Sequence, residues 1–321
     1  MKTAWIASTV LLLALPSAAK VLPEPTHNET ENVRAEFLDA PGFLHRWREM
    51  LELDKRHLYG LADNDATDLR LDVFPGDLAG NEARQAERLQ AGEVVSADEH
   101  ERVISETLRV IEVSGDGSRD TPFTTFSEVE AMRFMALTGH IPVATALVIT
   151  RFGEPLLAVW FKDDTTAEPW YFSLKSVYHR VLREYAHRSP TTNFSGWHFL
   201  IHMAEKGSPA ALVGRAATNL RDQSHAPSRE ITEWLRTAAR ADNALAIVLL
   251  GDIAMEQADE SEPGERREQL LKAQSQYAMA SNLGYVPALK RLATVKAELA
   301  KLAPPAIEVA GNAMAPLALS D

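Results

Sequence analysis

Three passages toward the C-terminal end repeat one register, and a repeat constrains a fold more tightly than any isolated motif. They read "WHFLIHMAEKGSPAALVGRAATNL", "REITEWLRTAARADNALAIVLLGDIAMEQ" and "RREQLLKAQSQYAMASNLGYVPALKRLATVKAELA". In each, a small or turn-forming residue stands four positions before an alanine: Gly207 before Ala211, Asp242 before Ala246, Gly284 before Ala288. An alanine-bearing helix end lies ahead of each turn and a fresh apolar helix behind it. The intervals of 35 and 42 residues hold two helices and their turns. The polar loop "ADESEPGERR" absorbs the difference. Recurrent alanine lets helix axes approach closely. One helix pair cannot bury its apolar face alone, so such pairs are expected to stack.

The passage "EWLRTAARADNALAIVLLGDI" and the looser "SQYAMASNLGYVPALKRLA", with "HMAEKGSPAALVGRAA" before them, resemble the Sel1-like repeats, relatives of the tetratricopeptide repeats. Trp234, Ala238 and Ala239 resemble the aromatic and paired alanines that end one helix of that repeat. Ala246, Leu250 and Gly251 resemble the small-residue and Leu-Gly positions of the next. The chain departs from the pattern at Asp242, where the family has glycine, and at Ala293, which takes the place of Gly251 in the third passage. The glycine-rich turn after the first helix is missing as well. The resemblance covers roughly residues 198–300. It implies a stack of antiparallel helix pairs with a concave face that holds proteins or peptides, and it carries no catalytic residue.

Ahead of the repeats, helical spacing predicts a helix over Gly42 to His57, with Leu44, Trp47, Met50 and Leu51 in one stripe. "DNDATDLRLDVFPGDLAG" reads as a turn and an extended connector. Two helices follow in residues 80–111, the second opened by a capping box of Ser96 and Glu99. Ser127 with Glu130 is a second cap, and Gly139 is placed to end that helix. "VATALVITRFGEPLLAVWFKDD" reads as a buried hairpin, with two short buried helices as the alternative. A fainter echo of the repeat in "MALTGHIPVATALV" leaves open an array that begins near Phe126. The expected fold is therefore mainly α: a Sel1-like or TPR-like α-solenoid preceded by a helical region and a small α+β segment. The regions run 1–19, 20–33 (a flexible lead-in), 34–125 (helical), 126–196 (aromatic-rich), 197–302 (repeats) and 303–321 (a flexible tail).

The start, "MKTAWIASTVLLLALPSAAK", has the charged, apolar and small-residue parts of a secretory signal peptide cut after Ala19. Its apolar run is too short to span a bilayer. The chain has no cysteine, which excludes a lipidated N-terminal cysteine, disulfides and thiol chemistry, and favours a periplasmic or secreted location. A net charge of -12 disfavours nucleic acid and anionic membranes as partners. A protein or peptide partner, with peptidoglycan as a second class, fits an exported scaffold without stable membrane insertion. An envelope hydrolase and a secreted effector are the competing expectations.

Few patterns carry chemistry. His198 and His202 stand four apart, with Glu205 beyond them, and on one helix face they bring two imidazoles and a carboxylate toward a metal. Phe199 occupies the place where a zinc hydrolase needs its glutamate. The same spacing equally suits two histidines on a solvated face. No serine-nucleophile turn and no phosphate-cradling loop is present. Glu128 and Glu130 are two apart and point away from each other on a helix. No cofactor is implied. Aromatic residues cluster before the repeats, and Trp170, Tyr171, Tyr178, Tyr185 and Trp197 are the expected interaction surface beside the concave face.

Overall fold

The computed structural model describes residues 28–61, 64–166, 168–188, 194–222 and 228–302. The expected signal peptide, residues 20–27 of the expected lead-in and the expected tail at 303–321 lie outside these. The described chain is mainly α. In order it forms α1 (Asn28–Asp39), α2 (Phe43–Leu58), α3 (Asn64–Val73), α4 (Leu78–Gln90), α5 (Val94–Val113), β1 (Phe123–Thr124) and α6 (Glu128–Leu137). Then come β2 (Pro142–Ile149), β3 (Pro155–Phe161), β4 (Trp170–Ser173), α7 (Lys175–Arg188), α8 (Gly196–Glu205) and α9 (Pro209–Asp222). Last are α10 (Arg229–Ala239), α11 (Ala244–Glu260), α12 (Pro263–Asn282) and α13 (Pro287–Lys301). No helix among the described residues is long and apolar enough to cross a membrane.

Locally encoded features appear where the spacing placed them. Leu44, Trp47, Met50 and Leu51 are all buried on α2. Ser127 accepts from the Glu130 amide and caps α6, which ends at Gly139 with φ +91°. The apolar pair of runs is a hairpin: β2 and β3 are antiparallel, and the sheet order is β1-β4-β3-β2. Both strands lose their polar alternation because helices cover them: α6, α8, α9 and α11 lie against β2, and α6, α7 and α8 against β3.

Three expectations are corrected. Residues 64–73 are helix α3, not an extended connector. Arg70 on that helix is held by Asp54 and Asp77, a tertiary anchor that weak apolar periodicity does not announce. Ser96 lies inside α5, which begins at Val94 after a turn at Gly92 with φ +77°, so no Ser96–Glu99 capping box forms. Residues 28–33 of the lead-in are helical, part of α1.

The region boundaries do not divide the core. β1, drawn from the N-terminal region, pairs in parallel with β4. A single hydrophobic cluster runs from Phe37 on α1 through the sheet to Ile253 on α11. A second cluster joins Val143 and Ala144 of β2 to α11, α12 and α13. From α8 onward each helix packs on the next in sequence.

The three turns of the register share one geometry. Gly207, Asp242 and Gly284 have φ of +86°, +54° and +92°. The residue after each donates its amide five positions back: Ser208 to Met203, Asn243 to Ala238, Tyr285 to Ala280. The same cap also ends α2, α4 and α6, so it marks a helix end rather than a repeat. What sets these three turns apart is the fully buried alanine four residues on, Ala211, Ala246 or Ala288. After Gly139 the chain enters β2 instead, so no helix pair of this kind starts near Phe126.

Candidate functional site

The second and third turns touch the hairpin and its end directly, and the first reaches it through Glu128 of α6, by contacts that are largely polar. Asn243 is the N-cap of α11: its Oδ1 accepts from the Ala246 amide at 3.3 Å. Its Nδ2 reaches back across the sequence to the backbone oxygen of Thr145 on β2 at 2.9 Å and to Thr145 Oγ1 at 2.8 Å. Thr145 Oγ1 in turn donates to Glu128 Oε1 at 2.6 Å. Glu128 also takes Ser208 Oγ at 2.6 Å and the Ala210 amide at 3.1 Å, so a carboxyl group from α6 caps the N-terminus of α9. At the third turn the Asp163 amide donates to Gly284 O at 3.0 Å, and Trp160 meets the Tyr285 ring edge to face. The row of turns is thus bolted to the sheet.

Apolar contacts close the same seam. A Cβ on Gly214 of α9 would lie 1.8 Å from the Leu147 oxygen, so glycine lets α9 rest directly on β2. On the far side of the helices, a Cβ on Gly251 would lie 2.6 Å from the Tyr277 ring, and Tyr277 donates to Asp252 at 2.8 Å. Asp252 also accepts from Arg291 at 2.9 Å, which ties α11, α12 and α13 together. Trp234 is half-buried beneath the Arg215 guanidinium, 3.9 Å from its ring centre, and Ala238 is fully buried. Ala239 and Leu250 are partly buried against the core. Ala293, the counterpart of Gly251 on α13, is exposed.

A second polar cluster abuts the first. Arg70 donates to both oxygens of Asp77 at 2.7 Å and to Asp54 Oδ1 at 2.8 Å. Asp77 also takes the Gly80 amide at 2.7 Å and caps α4. Burial opposes ionisation of Asp77, but Arg70 and the Gly80 amide outweigh it and hold the carboxyl below its usual value. Asp54 is different: burial raises it to about 6 against the pull of Arg70, and Asp77 pushes it the same way. Burial likewise raises Glu128 to about 7, although Ser208, Thr145 and the Ala210 amide favour its charged form. Asp54, Glu128 and Ser208 line a common cavity of about 10 Å³, otherwise walled mainly by Leu51, Leu58 and Met203. Glu130 faces away, toward Arg34 and the Phe126 amide at 2.6 Å, so the two glutamates of α6 serve separate clusters.

The residues singled out from the sequence are scattered over several environments. His198 Nδ1 bonds Ser195 in a capping box for α8, at 2.8 Å from its hydroxyl. His202 stacks on Trp47 with centroids 5.3 Å apart, and burial, with Arg48 and Lys206, lowers its pKa. Glu205 is exposed. Among the described residues no group of three or more His, Asp or Glu side chains is arranged to hold a metal. The aromatic residues do not form one surface. Trp170 and Tyr171 are half-exposed at the sheet, where Trp170 lies 4.4 Å from the His140 ring. Tyr178 is a core residue, 7% exposed, and is withdrawn from the interaction surface because it packs edge-on to Phe199. Tyr185 stacks on Phe194 at 4.6 Å, and Trp197 is half-buried against the core.

Sequence reasoning missed Asp54, Arg70, Asp77, Thr145 and the outward role of Asn243. Ser208 before Pro209 and Asn243 before "ALA" carry readable helix-start signals. Their partners on α6 and β2 lie 80 and 98 residues away, and no local pattern connects them. Comparison with protein-family models, curated proteins and solved structures finds no match to this chain.

Proposed function

We propose that the protein is an exported, noncatalytic assembly protein of a bacterial envelope, whose C-terminal helix pairs are Sel1-like repeats offering their outer surface to another protein. The observation that carries this reading is a set of exposed apolar side chains on the last described helix pair. Leu271 and Met279 on α12 and Leu289 on α13 are 41%, 44% and 53% exposed, on the last pair of the described chain. A stacked array buries its apolar faces against neighbours and needs a cap at each end, which a partner protein supplies. The turn-bearing side of the helices is engaged by α6 and the hairpin, which leaves the outer surface for a partner. With a net charge of -12 the surface favours a neutral or basic one. The leader sequence supports export.

The raised carboxyls of Asp54 and Glu128 favour a second reading, an envelope hydrolase, because acid–base residues have such perturbed values. Their shared cavity admits one water and no substrate, so this reading needs α2 and α8 to part. One experiment separates the two. The full exported chain and a Leu271→Asp, Met279→Asp, Leu289→Asp variant are used to capture proteins from envelope extract. Loss of a stoichiometric protein on the variant supports assembly. Hydrolysis of wall material by both forms, abolished by Glu128→Gln, overturns it in favour of the enzyme.

A further inference from the structure

The cavity shared by Asp54 and Glu128 is bordered by α2, the start of α6 and the α8–α9 turn, and its volume of about 10 Å³ is the space one water molecule requires. Its two carboxyl groups are unequally served. Both Glu128 oxygens accept hydrogen bonds from Thr145, Ser208 and the Ala210 amide. Asp54 is 4% exposed, and its Oδ2 has no hydrogen-bond partner in the protein. A group that wants one more donor and a second carboxyl thus line the same space of water's size.

We infer that this cavity is an internal binding site for a single water molecule that hydrogen-bonds Asp54 to Glu128, so that the two carboxyl groups hold one proton between them. A water has two hydrogens to give, one to each carboxylate. When either carboxyl is protonated, its O–H donates to the water oxygen and the water keeps one donor for the other group. The chain of bonds then runs unbroken from Arg70 through Asp54, the water, Glu128 and Thr145 to Asn243. It joins the N-terminal helices to the caps of α9 and α11.

The charges around the pair call for that proton. Asp54, Asp77 and Glu128 are three carboxyls, and Arg70 is the guanidinium bonded to the first two. Lys55 of α2 and Lys206 of the α8–α9 turn line the cavity wall, and Lys55 also pairs with Glu52. His57 is held neutral to about pH 4 by burial, with Arg70 and Arg133 acting in the same direction. Tyr59 donates to Gly207 O, and its own ionisation is opposed by burial and by Glu128, with Arg240 acting the other way. Burial and the neighbouring charge of Asp54 act together to keep the proton on Glu128.

Carboxyl carbon-13 NMR titration of the full chain tests the coupling. Asp54 and Glu128 are expected to respond over a common pH range, and Asp54→Asn is expected to lower the Glu128 midpoint by about half a unit or more. Ser208→Thr retains the hydroxyl bond to Glu128 and adds a methyl group at the cavity wall. Oxygen-17 relaxation dispersion should count one long-lived internal water fewer in that variant. A Glu128 midpoint indifferent to Asp54→Asn overturns the shared proton. An unchanged water count in Ser208→Thr overturns the water site, and this variant leaves the Arg70 cluster untouched should Asp54→Asn fail to fold.

Discussion

Replacing Asn243 by alanine removes two things at once, and their sizes follow from the bonds described. The first is the N-cap of α11, worth about 1 kcal/mol in comparable helices. The second is the pair of donor hydrogens given to Thr145, a residue only 3% exposed. Leaving buried acceptors short of a donor costs about 1–3 kcal/mol. Together these give a loss of about 2–4 kcal/mol, or roughly 4–7 °C in Tm for a chain of this size. Urea unfolding monitored by far-UV circular dichroism measures it, with the midpoint falling and the slope unchanged. Two companions sharpen the result. Asn243→Asp keeps a capping oxygen but cannot donate to Thr145, and it places a negative charge near Glu128, so it should be no more stable than the alanine variant. Asp242→Gly, next door, relieves a left-handed aspartate with φ +54° at the cost of extra chain entropy, and should lie within about 0.5 kcal/mol of wild type. If Asn243→Asp matches wild type, the bond to Thr145 contributes nothing and the reasoning fails.

Gly214→Ala forces a methyl into the Leu147 backbone oxygen, which cannot rotate away, and should cost about 3 kcal/mol or prevent accumulation of folded protein; thermal unfolding decides. Gly251→Ala meets only the Tyr277 ring, so a smaller loss of about 1–2 kcal/mol is expected in the same assay, accompanied by a change in tyrosine fluorescence. Glu128 is raised in the fold, from 4.5 to about 7, so its contribution is fully present below pH 4.5 and is lost as pH rises through 7. The stability difference between wild type and Glu128→Gln should therefore shrink by on the order of 3 kcal/mol from pH 4.5 to 8. A constant difference refutes the assignment. His57 is depressed to about 4, which adds stability that is lost as pH falls from 6.5 to 4. The wild-type profile alone mixes these opposed slopes with that of Asp54, also raised and also losing stability as pH rises, so the difference from Glu128→Gln is the quantity to read. Dialysis against trace zinc should leave no stoichiometric metal, since Ser195 engages the His198 ring and His202 stacks on Trp47.

What the sequence disclosed was whatever depends on neighbours within one turn. The Ser127 cap, the Gly139 stop, the α2 stripe and the turns at Gly207, Asp242 and Gly284 are all of that kind. The hairpin was legible because its valine- and isoleucine-rich runs flank "RFGEP". Helix α3 was not, because its stability comes from Arg70 reaching Asp54 and Asp77 rather than from an apolar stripe. Glu128 looks like an ordinary acidic residue of a first turn, and its burial depends on Thr145 and Ser208 arriving from elsewhere in the chain. Glu128 and Glu130 do point apart, as helical geometry requires, but only the tertiary fold shows that each finds its own buried cluster. The repeat register located the turns and left unseen that the sheet grips them.

Native-state hydrogen exchange in increasing urea tests that grip most directly. With α9 and α11 bolted to β2 through Glu128, Thr145 and Asn243, amides of β2, β3, α9 and α11 should open in one cooperative step at a common free energy. Opening of α9 and α11 at a distinctly lower free energy, with β2 and β3 still protected, would contradict it and mark the helix pairs as an independent unit.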